Sequence, residues 1–196
     1  ASAIFKIRCG PVSAATGDRF LPSPPRSLKL SEDLTPLKIS PNILADIYRE
    51  ARTAFPYECC GWLSGPKDGD AVMVVRACEN AQALGTHPTE AHRGPETAYV
   101  ITGDDLLSLN HTLESDCICS LTPAKIIFHS HPNGRAYLSS TDREVATSPW
   151  GDGPAYPVQQ LVVGIDGYRV VEAVLFAWSD DEDGFVQIDR FDGADV

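Results

Sequence analysis

The stretch "FHSHPNGRAYLSSTD", residues 128 to 142, carries three side chains that could bind one metal ion: His129, His131 and Asp142. The two histidines end an apolar run, "AKIIF", that reads as a strand. Residues two apart on an extended chain project to the same side, so both imidazoles can reach a common ion. Pro132 and Gly134 stop the strand there, and Ser139-x-x-Asp142 reads as the start of a short helix whose aspartate can close back on that ion. Two imidazoles and one carboxylate make the three-ligand pattern of a catalytic zinc that keeps its fourth position for water. Taken singly, a histidine at a strand end is an ordinary polar residue and Ser-x-x-Asp an ordinary cap. Only the joint spacing points to a metal.

Such a centre needs a general base. Glu58, in "FPYECCGWLSG", falls between a helix end and a strand start, where a carboxylate can face a cleft. Glu79, Glu90, Glu96 and Glu144 are eligible by the same chemistry, and spacing does not choose among them.

The elements that must position these groups are legible from periodicity. Ser40-Pro41 predicts a capped helix from 41 to about 55, with Leu44, Ile47, Ala51 and Phe55 on one face. "CGWLSG" and "AVMVVRA" predict strands around the turn-forming "PKDGD", and "TAYVIT" a further short strand. "DDLLSLNHTLE" predicts a helix, "STDREVAT" a brief one, and "VQQLVVGI", "YRVVEAVLFAW" and "FVQIDRF" three closing strands. The segment from Glu79 to Glu96 and "SPWGDGPAYP" predict surface loops. Residues 1–37, rich in proline, glycine and serine, read as an extension or linker with one short strand at "AIFKI"; residues 38–196 read as one domain. Helices and strands alternate early and strands run together late, which gives an α/β or α+β fold with a mixed sheet.

Composition limits the partners. The net charge of -11, with 27 acidic against 16 basic residues, argues against nucleic acid or an anionic membrane surface. No window has the length of a membrane span, and "ASAIFKIRCG" lacks the apolar segment of a signal peptide. Six cysteines in a chain large enough to build its own core read as reduced thiols of a cytoplasmic protein. Cys117-x-Cys119 has no second pair at zinc-finger spacing.

Pro56-x-Glu58-x-Cys60-Gly61-x-Leu63-x-Gly65, then His129-Ser130-His131-Pro132 and Ser139-x-x-Asp142, resemble the JAMM motif of the MPN/JAB metallopeptidases over roughly residues 40 to 180. The resemblance implies a mixed, curved sheet flanked by helices, of cytidine-deaminase-like architecture. It implies Zn2+ held by His129, His131 and Asp142, with Glu58 holding and deprotonating the attacking water and Ser139 donating to the oxyanion. It further implies a substrate: the amide bond after the C-terminal Gly-Gly of a ubiquitin-like or sulfur-carrier β-grasp protein, with an E1-like activating enzyme in the same pathway. The loops at 79–96 and 147–157 are modest, as in compact prokaryotic members. Other readings are a peptidase for another amide, such as a cell-wall peptide or a γ-glutamyl-type conjugate, and a non-catalytic MPN assembly subunit. By the same resemblance Cys60 is structural, while Cys59 has no counterpart. His87 and His92 are weighed as a second metal site against a solvated loop, which is favoured. Trp150 and Tyr156 are weighed equally as channel lining or packing.

Overall fold

The computed structural model describes residues 34–85, 94–114 and 122–196. The expected strand "AIFKI", His87, His92, Glu90, Cys9, Cys117 and Cys119 lie outside the described residues. Helix α1 spans Pro41–Ala54, and its N-cap Ser40 Oγ accepts from the Ile43 amide. Strands β1 (Cys60–Ser64) and β2 (Val74–Cys78) follow, then helix α2 (Gly103–Leu113), strand β3 (Ala124–His131) and helix α3 (Ser140–Ala146). The chain closes on β4 (Gln159–Ile165), β5 (Val170–Ser179) and β6 (Gly184–Ala194).

These strands form one six-stranded mixed sheet in the order β2-β1-β3-β4-β5-β6. Only β3 and β4 pair in parallel; every other neighbouring pair is antiparallel. The parallel pair is the one that needs a crossover, and that crossover is the segment carrying Ser139, α3 and the 147–157 loop.

The two faces of the sheet do different work. Ile126 and Phe128 join Leu63, Leu161, Val163 and Leu175 on one face, where Ile47, Tyr48 and Ala51 of α1 cover them. Burying each such aliphatic side chain stabilises the fold by about 1.5–3 kcal/mol. On the other face, Ile127 and Trp62 pack under Leu109 of α2. Further along that face, Val162, Val174 and Phe176 pack under Ala136 and Leu138, with Ala146 of α3 against them. The period of two puts His129 and His131 on this second face with Ile127. They sit between the cluster under α2 and the cluster under α3.

The expected strand "TAYVIT" is not a strand. Its single ladder contact is an isolated bridge from Ile101 to Asn80. The amide of Asn80 takes the place of a partner strand: it donates to the Ala98 carbonyl and accepts from the Val100 amide. At the other end of the domain, residues before α1 are stitched to the sheet. Gln159 Nε2 donates to the Thr35 carbonyl, and its Oε1 accepts from the Leu37 amide.

Candidate metal centre

β3 carries the two histidines to its end, and a tight return brings the third candidate ligand back. Gly134 takes the left-handed φ of 74° and donates its amide to the Ile165 carbonyl. The return then passes directly over Gly164, the residue paired with His131 across the parallel ladder. A Cβ at Gly164 would lie 2.7–2.9 Å from backbone atoms of Arg135 and Ala136, so glycine is what lets the return lie this close. The Ala136 amide is fixed by Glu172, which is itself paired with Arg190.

At the end of the return, Ser139 caps α3. Its Oγ accepts from the Asp142 amide at 3.2 Å while its own amide donates to Asp142 Oδ2 at 2.7 Å. This reciprocal capping box fixes the carboxylate. His129 Nε2 lies 3.1 Å from His131 Nε2, and Asp142 Oδ2 lies 3.6 and 3.4 Å from them. A tetrahedral ion roughly 2.0–2.1 Å from each ligand spaces those ligands about 3.3–3.4 Å apart. The observed triangle brackets that spacing. Both Nδ1 atoms are buried with no hydrogen-bond partner among the described residues. Tyr99 stacks on His129, with ring centroids 4.8 Å apart, and Tyr137 meets His131 edge-on at the same separation.

The electrostatics suit a cation. Burial raises the pKa of Asp142, but the imidazoles of His129 and His131 and the Ser139 hydrogen bond outweigh it and hold the carboxyl well below the usual range. Burial pulls His129 down and Asp142 more than restores it, whereas His131 stays lowered by burial with His129 beside it. An ionised carboxylate thus faces two imidazoles of which one resists protonation. Two imidazole nitrogens and one anionic oxygen form a donor set that fits zinc.

Beside this triangle is a cleft of about 250 Å³ lined by Glu58, His131, Pro132, Asn133 and Tyr137, with Phe55, Pro56, Glu96 and Thr97 across from them. Glu58 is buried, and its backbone is held on both sides. Its amide donates to the Pro95 carbonyl, and its carbonyl accepts from Asn80 Nδ2 at 3.0 Å. The next amide, Cys59, donates to Ser130 Oγ, the residue between the two histidines, at 2.9 Å. Of the other eligible carboxylates, Glu96 also lines the cleft, from an exposed position, whereas Glu79 and Glu144 are exposed and do not line it.

Trp150 and Tyr156 do not line this cleft. Trp150 is 85% exposed on a separate concavity with Pro149 and Pro154, and Tyr156 packs against the cluster under α2. Cys59, for which the motif offered no role, is buried in the α1 core. Tyr99, Tyr137 and Asn80 escaped the sequence reading. Tyr137 had a weak signal in its place within the His-to-Asp return; Tyr99 and Asn80 had none, because their roles depend on chain segments far apart.

Residues 40–176 match a family described as prokaryotic homologs of the JAB domain. Among solved structures, the chain is similar to the solution structure of protein DSY2949 from Desulfitobacterium hafniense. That likeness has 23% identity and a TM-score of 0.50, over 76% of this chain and 86% of the other. A protein from Salinibacter ruber is similar at 20% identity and a TM-score of 0.47, over 76% of this chain and 87% of the other. No curated protein matches the sequence.

Proposed function

Because the chain belongs to the family of prokaryotic homologs of the JAB domain, we propose that it is a JAMM-type zinc peptidase. Its substrate in this reading is the amide bond after the C-terminal Gly-Gly of a ubiquitin-like or sulfur-carrier protein. The observation that carries the proposal is the His129, His131 and Asp142 triangle, sized for one small ion, with His131 lining a cleft that Glu58 also lines.

His129, His131 and Asp142 would hold the zinc. When bound, the ion lowers the pKa of water from 15.7 towards about 7 and polarises a carbonyl. Glu58, held at its amide and its carbonyl, takes a proton from the attacking water and passes it to the leaving amine. Ser139 donates its hydroxyl to the oxygen on which negative charge develops. The small cleft supports the choice of substrate: at about 250 Å³ it is below the roughly 300–1,000 Å³ of common ligand pockets, which favours residues without side chains. Its two carboxylates, with no lysine or arginine among the described lining, favour an amine as leaving group.

The test uses carrier proteins ending in Gly-Gly, fused to a reporter, with zinc-loaded wild type, Glu58→Gln and His129→Ala. Wild type is expected to cut after Gly-Gly. Glu58→Gln is expected to keep its zinc and lose on the order of 10²-fold or more in rate, and His129→Ala to lose the zinc as well. A zinc-loaded wild type that cuts no such fusion sinks the reading.

A further inference from the structure

We propose that Asn80 is a positioning residue that aligns Glu58 with the metal triangle. The inference rests on the peptidase reading above. Asn80 is buried, and its side-chain amide makes four hydrogen bonds. Nδ2 donates to the Glu58 and Ala98 carbonyls, both at 3.0 Å. Oδ1 accepts from the Gln82 amide at 3.0 Å and the Val100 amide at 3.1 Å. Two donors and two acceptors are all that a primary amide offers through its hydrogens and lone pairs, and each is used.

The partners are the informative part. One is the peptide carbonyl of Glu58 itself. Two others, Ala98 and Val100, flank Tyr99, whose ring stacks on His129. The same segment also reaches Glu58 through the Pro95 carbonyl and lines the cleft with Glu96 and Thr97. One amide therefore sets the distance between the base and the wall that braces a metal ligand. Among the described residues, the other ties of this segment to the chain around Glu58 are backbone bonds, from Ala81 to the Val100 carbonyl and from Glu58 to the Pro95 carbonyl, with the bridge at Ile101; the Asn80 amide is the side chain that joins both sides at once.

None of the four bonds reaches β3 or α3, which supply the ligands. Loss of Asn80 should therefore misplace the base while leaving the triangle intact. A displacement of about 1 Å in a reacting group can cost on the order of 10²-fold in rate. Asn80→Asp is the sharpest variant: it keeps an acceptor for Gln82 and Val100 but turns an oxygen towards the Glu58 and Ala98 carbonyls.

The experiment compares wild type with Asn80→Asp, and with Asn80→Ser should the aspartate variant fail to fold. It measures zinc affinity, kcat and KM on a Gly-Gly fusion, and amide hydrogen exchange. Expected are zinc affinity within about threefold of wild type, KM within about threefold and kcat down about 10²-fold. In Asn80→Asp, exchange should quicken at Glu58, whose carbonyl loses its donor, and stay unchanged at Phe128 and His129. Unchanged kcat overturns the proposal, as does a loss of zinc affinity that matches the loss in kcat, or a rise in KM alone. If zinc-loaded wild type cuts no fusion, the peptidase reading has failed, and exchange then decides Asn80 separately. Selective quickening supports its hold on Glu58; unchanged or uniform exchange overturns it.

Discussion

Ser139 is asked to serve two demands with one hydroxyl: it accepts the Asp142 amide in the cap, and in the proposed mechanism it donates its proton to the developing oxyanion. Ser139→Ala should show both losses separately. The missing cap should cost about 1 kcal/mol, seen as a melting temperature lower by about 2–4 °C. The missing donor should cost on the order of 10²-fold in kcat. A variant that melts lower but hydrolyses at the wild-type rate would leave Ser139 as a cap only. Cysteines allow a simpler check. Burial pushes the Cys59 thiol up to about 12, and burial likewise raises Cys60 well above its ordinary value. Iodoacetamide at pH 8 should therefore leave both unmodified in the folded protein and modify both in urea, as mapped by mass spectrometry. The candidate ligands could be picked out by local spacing alone. Spacing did not choose a base; the motif resemblance pointed to Glu58, and in the fold Glu58 and Glu96 both line the cleft and differ in burial.

At the scale of elements, the critical piece is the return from β3 to α3. Gly164→Ala would put a methyl 2.7–2.9 Å from the backbone of Arg135 and Ala136. The return would have to lift, carrying Ser139 and Asp142 away from the histidines. Zinc affinity should fall by at least tenfold, by competition with a chromophoric chelator, whereas Gly167→Ala, where the added methyl meets only the Phe55 ring at 4.0 Å, should leave it unchanged. Helix α1 was legible because its cap, its proline and its apolar face all lie within one element. α3 was legible for the same reason, through its capping box. The segment 97–102 misled because its alternation is that of a strand, yet a side-chain amide and one backbone bond from Ala81 stand in for a neighbouring strand.

At the scale of the molecule, metal binding and stability are linked. An ion that binds the folded chain alone, at a free concentration of 1,000 times its Kd, adds about 4 kcal/mol. For a domain of this size that raises the melting temperature by about 8–16 °C. His131→Ala should abolish the rise, and an unchanged melting curve of wild type with zinc would remove the metal centre. Stability should also fall at alkaline pH. Cys59 keeps its proton to about 12 when folded, but releases it near about 8.5 when unfolded. The unfolded state then binds fewer protons, so the contribution is whole below about pH 8.5 and is lost as pH rises towards the folded value. Urea unfolding at pH 8 and pH 10 checks the sign. By itself, the sequence determined what depends on near neighbours: two histidines on one strand face, a capped aspartate after a glycine turn, and the helices with their caps. It also carried the motif that marks the family. The tertiary structure alone decided which distant groups meet. Strand order puts β1 beside β3 and so brings Glu58 to the histidines, Asn80 ties Glu58 to the Tyr99 segment, and Trp150 points away to another surface. Those contacts span segments whose separation in the chain carries no periodic signal, and only the assembled sheet fixes their distances.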